Sequence, residues 1–240
     1  MKLTDFKVFT FDCYGTLIDW ERGILDSLAP LAARAPGAIA RDQILKSFAQ
    51  LEHSQQEQTP AMPYSQLLAV VYRRLADAWG IAASDQEARA FGASIAAWPA
   101  FPDSAAALQY LHGHYKLVIL SNVDRQSFRA SNERLQVTFD AIYTAEDIGS
   151  YKPSDRNFAY LLGRLRDDFG FGKADILHVA QSLFHDHAPA NRAGLASAWI
   201  DRGHTAQGGG ATVPPPQTPR YDFHFDSMAA LAAAHRREMA

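Results

Sequence analysis

Two hydrophobic periods alternate along this chain, and the places where one gives way to the other mark its organisation. The first apolar run, Phe6-Lys7-Val8-Phe9-Thr10-Phe11, is short, aromatic and β-branched, and Tyr14-Gly15-Thr16 breaks it just after Asp12. That pattern predicts a strand that delivers one carboxylate at its tip. From Glu21 to Trp98 the spacing is helical throughout. Helices are expected over Glu21–Ala35, ended by Pro36-Gly37; over Arg41–Gln58; and over Tyr64–Trp79, ended by Gly80. A fourth starts from Ser84, where Glu87 completes a capping box, and runs to about Trp98. The second of these is polar-rich, so only its stripe of Ile44, Leu45, Phe48 and Leu51 is expected to face a core.

Beyond Trp98-Pro99 the texture changes to strands alternating with helices. Asp103 is expected to cap a helix to His114, followed by a buried strand from Lys116 to Asn122, a helix over Gln126–Leu135 and a strand over Ala141–Tyr143. A long amphipathic helix over Asp155–Phe169 leads to a buried strand over Ile176–Ala180, a short helix over His187–Gly194 and a strand over Ala196–Ile200. Gln207–Arg220, with Gly208-Gly209-Gly210 and Pro214-Pro215-Pro216, reads as a surface loop. Tyr221–Phe225 is expected to be an edge strand, and Asp226 to cap a final Ala-rich helix. No internal repeat is visible. This succession predicts an α/β fold, a doubly wound, Rossmann-like parallel sheet with helices on both faces. The chain divides into a core of residues 1–17 and 99–240 and an inserted helical cap of residues 18–98. An insertion directly after the first strand lies over the carboxyl ends of the sheet, where a lid belongs.

Composition narrows the function classes. With 240 residues, 48% hydrophobic and 20% charged, the chain can bury a sizeable core. A net charge of -3 gives no basic footprint, so nucleic acid is not expected as a partner and small-molecule chemistry is. No apolar run is long enough to span a membrane, and the charged start, Met1-Lys2-Leu3-Thr4-Asp5, does not resemble a signal peptide. The single cysteine, Cys13, excludes an internal disulfide and fits a reducing cytoplasm; it should point away from the Asp12 face as a packed thiol.

Chemistry gathers at the strand ends. The first strand supplies Asp12, Tyr14 and Thr16, the second Ser121 and Asn122; the third is followed by Lys152-Pro153, and the fourth by Gln181, Ser182 and Asp186. Each has a plain reading alone: Asp12, Ser121 and Asn122 as turn residues, Lys152 as a solvated lysine, Asp186 as a helix cap. Polar groups at four successive strand ends, beyond which ligands bind in open α/β sheets, point together to a catalytic site. The His185-Asp186-His187 run is not expected to hold a metal, because adjacent side chains at a helix start diverge.

Asp12-x-Tyr14-Gly15-Thr16, Ser121-Asn122, Lys152-Pro153 and an acid after the fourth strand, in this order, resemble the haloacid dehalogenase superfamily over the full chain. Tyr14 is similar to the 2-haloacid dehalogenase branch, since the family's phosphatases usually carry a second Asp there. The resemblance implies that Asp12 forms a covalent ester in hydrolysing small 2-haloacids to 2-hydroxyacids, without a cofactor. Lys152 would keep Asp12 ionised and aimed, Thr16 would orient its loop, and Asp186 would position Lys152 or the hydrolytic water. Ser121 would bind the substrate carboxylate, Asn122 would help receive the halide, and Tyr14 and Ser182 would line the substrate. A halide leaves without a proton, whereas an alkoxide needs one, and a tyrosine is a poor donor at neutral pH. The alternative is a phosphatase using Mg²⁺ held by Asp12, the Tyr14 carbonyl and Asp186, although relatives that use the metal usually supply two acids after the fourth strand. Three departures from the dehalogenase pattern stand out: no Arg lies within Gln43–Leu51, where the branch carries its halide receptor; Phe158 replaces a Tyr; and the segment His178–His187 is one residue longer before its acid. Trp20, Phe48, Trp79 and Trp98 either pack between cap and core or offer a homodimer contact.

Overall fold

The computed structural model describes residues 1–203, 211, 212 and 214–240. Among them a six-stranded sheet runs in the order β3-β2-β1-β4-β5-β6 and every neighbouring pair is parallel. The strands are β1 (Val8–Phe11), β2 (Lys116–Ser121), β3 (Ala141–Thr144), β4 (Ile176–Ala180), β5 (Ala196–Ile200) and β6 (Phe223–Phe225). β1 and β4 are buried at every position, which is why they read as continuous apolar runs rather than alternating ones. The chain reverses its winding direction between β1 and β4, so their adjacent carboxyl ends open the crevice typical of doubly wound sheets.

Between β1 and the rest of the sheet come the helices α1 (Trp20–Ala32), α2 (Arg41–Gln58), α3 (Tyr64–Ala78) and α4 (Asp85–Ala93), the last extended by a 3₁₀ turn over Ser94–Ala97. The capping box at Ser84 and Glu87 is present, with Ser84 Oγ accepting from the Glu87 amide. Trp20, Phe48 and Trp98 are buried within the chain, and Phe48 meets Trp20 and Phe91 edge-on. α5 (Ser104–His112), α6 (Arg125–Leu135), the short α7 (Ala145–Ile148), α8 (Asp155–Phe169), α9 (Ala188–Ala193) and α10 (Met228–Met239) complete the described elements.

Three capping expectations fail, each because another group lies nearer. Asp103 makes no cap; both its carboxylate oxygens accept from Arg202 Nη1, and one also accepts the Ala229 amide. Asp226 yields to Ser227, whose hydroxyl accepts from the Ala230 amide. The helix expected from His187 begins earlier, as a π-helical turn over Leu183–His187 capped by Ser182, so Asp186 is free of the capping role. α2 also exceeds its expected apolar stripe: Glu52, Gln55 and Gln56 are buried as well. Of the loop expected over Gln207–Arg220, residues 207–210 and 213 lie outside the described residues.

Candidate active site

Asp12 directly follows β1, where the chain turns sharply through Tyr14-Gly15-Thr16. Gly15 adopts φ +96°, and a Cβ there would sit 3.1 Å from Gln181 Oε1 and 3.2 Å from Trp20 Nε1, so position and conformation both favour glycine. The turn brings Thr16 back onto the nucleophile candidate: its hydroxyl donates to Asp12 Oδ2 at 2.6 Å and accepts the Gln181 amide at 2.9 Å. One threonine thereby ties the β1 loop to the β4 loop.

Lys152 occupies the centre. Its ammonium has three protons, and all three are donated: to Asp12 Oδ1 at 2.9 Å, to Asp186 Oδ1 at 2.7 Å and to the Leu120 carbonyl at 2.9 Å. The side chain is 1% exposed. Asn122 holds this lysine's backbone, donating to the Lys152 carbonyl at 3.0 Å and accepting its amide at 2.7 Å. Asp186 Oδ1 also contacts His178 Nε2 at 2.9 Å, and His178 Nδ1 meets Thr10 Oγ1 at 2.9 Å. β1, β2, β4 and the segment before α8 therefore converge on two carboxylates and one ammonium.

Those charges are unequally placed. Burial raises the carboxyls of both Asp12 and Asp186, and a single ammonium cannot compensate both. Asp186, with Lys152 and His178 as donors, ends well below the usual carboxylate value; Asp12, with Asp186 as a repelling neighbour, ends above it. Burial alone would lower the Lys152 ammonium, but the two carboxylates outweigh it and hold the lysine charged. The result is a hydrogen-bonded Asp186 that favours the ionised form beside a more basic Asp12.

Above Asp12 lies a cavity of about 40 Å³. Asp12, Tyr14, Asn122, Lys152, Ser182 and Asp186 line it from the sheet side, and Trp20, Glu52, Gln56 and Tyr64 from the helical unit. The Tyr14 hydroxyl is turned onto α6, 2.7 Å from Ser131 Oγ, and burial raises it well above the usual phenol value. Ser121 is not among the lining residues; its hydroxyl is buried next to the site with no partner among the described residues. Cys13 is fully buried, as its place on the strand requires.

A sequence profile of haloacid dehalogenase-like hydrolases matches residues 6–194, more than half of the chain and all the residues just described. The chain belongs to this family. Solved structures agree on the fold of these haloacid dehalogenase-like hydrolases. L-2-haloacid dehalogenase from Xanthobacter autotrophicus superposes with a TM-score of 0.78 at 19% identity, covering 97% of this chain and 99% of that one. A defluorinating L-2-haloacid dehalogenase gives 0.77 at 19% identity over 98% of each chain. The HAD-hydrolase YfnB from Bacillus subtilis, bound to magnesium, gives 0.74 at 16% identity over 96% of this chain and 99% of that one. A search of curated proteins returns no match.

Mg²⁺ held by Asp12, the Tyr14 carbonyl and Asp186 would have to share both carboxylates with Lys152. The ammonium of Lys152 stands between the Oδ1 atoms of Asp12 and Asp186, Thr16 takes Asp12 Oδ2, and only Asp186 Oδ2 lacks a partner. Among the described residues no group of three His, Cys, Asp or Glu side chains is placed to hold a metal. A hard divalent cation needs several oxygen ligands that a lysine does not already occupy.

Four contributors escaped the sequence reading: Glu52, Gln56, Tyr64 and His178. Glu52 and Gln56 stand four and eight residues beyond Phe48, so the period that buries Phe48 turns both inward. That spacing was the available signal. His178 is polar in an otherwise apolar central strand, the mark of a buried side chain with a partner.

Proposed function

We propose that this hydrolase cleaves the carbon–halogen bond of small 2-haloacids through an ester on Asp12. In the first step an Asp12 carboxylate oxygen attacks the halogen-bearing carbon, the C–O bond forms as the carbon–halogen bond breaks, and the halide departs with the electron pair. In the second, water attacks the ester carbonyl and releases a 2-hydroxyacid, restoring Asp12. Lys152 and Thr16 fix the two oxygens of Asp12, so the nucleophile is aimed before substrate enters. Ser121 is a donor for the substrate carboxylate, and Asn122, which lines the cavity while holding the Lys152 backbone, has a second amide proton to offer the halide.

The observation that carries the proposal is the tyrosine two residues after the nucleophile. Its hydroxyl is committed to α6 and its pKa is raised, so this position offers no acid for an alkoxide, a need that halide does not have. Purified protein incubated with 2-chloro-, 2-bromo- and 2-fluoro-acids in EDTA should release halide, and Asp12→Asn should not. Phosphate release dependent on Mg²⁺, with no halide, would overturn the reading.

A further inference from the structure

The dehalogenase resemblance leads one to expect an Arg facing the site from α2, and no Arg or Lys of α2 is among the residues that line the cavity. Arg41, at the first position of that helix, and Lys46 are both exposed. Lys152, the lysine that lines the cavity, has already donated all three protons. Burial lowers the His185 imidazole to about 4, so it is neutral at physiological pH. Toward the cavity α2 presents Glu52 and Gln56, one turn apart, both buried and both lining it. Glu52 Oε1 accepts the Tyr64 hydroxyl at 2.6 Å, which anchors the carboxyl to α3.

We propose that Glu52, in its neutral form, donates the hydrogen bond that receives the departing halide, and that this donor favours fluoride, the strongest acceptor among the halides. This rests on the dehalogenase reading above. A carboxylic O–H aimed at a developing anion in a water-poor cavity stabilises it without a charge of its own. In the reaction the Asp12–carbon bond forms, the carbon–halogen bond breaks, and the anion leaves hydrogen-bonded to the O–H, with no net proton required. Burial pushes the Glu52 carboxyl up to about 7, so the donor is present on the acid side of neutrality and lost above it. The ionisable groups around it are His53 on α2, Tyr64 and Arg74 on α3, Asp12 and Tyr14 on the β1 loop, Asp124 before α6, Tyr151 and Lys152 before α8, and His185 and Asp186 after β4. Burial outweighs the Tyr64 hydrogen bond, which by itself would lower the Glu52 carboxyl.

The test is halide release across pH for wild type, Glu52→Gln and Glu52→Ala, using fluoroacetate and bromoacetate. Wild type should lose kcat/KM above about pH 7; Glu52→Gln, an amide donor at every pH, should keep activity within about tenfold at pH 6 and lose that alkaline limb. Glu52→Ala should cost about 100-fold on fluoroacetate and under tenfold on bromoacetate, a difference that a purely structural loss would not produce. Should Glu52→Ala fail to fold, the Glu52→Gln profile decides alone. Halide release with an alkaline limb unaltered in Glu52→Gln overturns the role of Glu52 and leaves the dehalogenase reading standing. No halide from wild type overturns both.

Discussion

The Lys152 ammonium lies 2.9 Å from Asp12 Oδ1 across 140 residues of sequence, with both residues buried. The same ammonium holds Asp186 at 2.7 Å, so one cation offsets two carboxylates inside the sheet crevice. Stability and chemistry therefore depend on one side chain.

Lys152→Met should show that dependence. Removing one partner of a buried ion pair costs on the order of 3–5 kcal/mol, and here two carboxylates lose their counterion. The variant should be inactive, and urea denaturation should find it weakened at pH 7 and less so near pH 5. The sign follows from the proton balance: without Lys152 the folded carboxyls titrate higher than the unfolded ones, so protonation favours the folded state. Equal destabilisation at both pH values would contradict the charge account.

Thr16 offers a milder probe of the nucleophile. Its hydroxyl bond to Asp12 Oδ2 is charge-assisted and worth about 1.5–3 kcal/mol, a factor of about 10–100 in rate if it acts in the transition state. Thr16→Val should lower kcat by that factor and Thr16→Ser should restore most of it. Steady-state kinetics on both variants check this.

His178 joins Asp186 to Thr10, one partner on each ring nitrogen. Because Asp186 titrates below its unfolded value, it contributes stability at neutral pH that is lost as the pH falls through its folded pKa. His178→Phe should cost about 1–3 kcal/mol at pH 7 by removing one donor, and the difference from wild type should shrink between about pH 5 and pH 2. Denaturant titrations over that range measure it.

Glu52 runs the opposite way. With its folded value raised to about 7 from 4.5, it favours the folded state below pH 4.5, and that contribution is lost as the pH rises toward 7. Wild type should therefore weaken relative to Glu52→Gln by on the order of 3 kcal/mol between those limits. A constant difference across the range would mean that Glu52 is ionised when buried.

The fold was legible because its strands are short apolar runs and its helices carry a clear period; α2, α8, β4 and β5 match their expected bounds to the residue. The clustering of Asp12, Thr16, Lys152 and Asp186 was legible too, since each follows a strand and parallel strands end on one side. What stayed hidden depended on contacts between distant segments. Asp103 looks like a cap until Arg202, 99 residues away, comes within 2.9 Å. That Asn122 also holds the Lys152 backbone, 30 residues away, was equally hidden. The wall from α2 was obscured for another reason: Glu52 and Gln56 are polar, and polarity along a helix usually marks the solvent face.

Isotope placement tests the covalent ester most directly. With enzyme in excess over a 2-haloacid in H₂¹⁸O, a single turnover followed by peptide mass spectrometry should find ¹⁸O in the carboxyl of Asp12 and none in the new hydroxyl of the 2-hydroxyacid. Water would then have entered at the ester carbonyl. Label appearing in the hydroxyacid with Asp12 unlabelled would mean that water attacks the substrate itself, and Asp12 would not be the nucleophile.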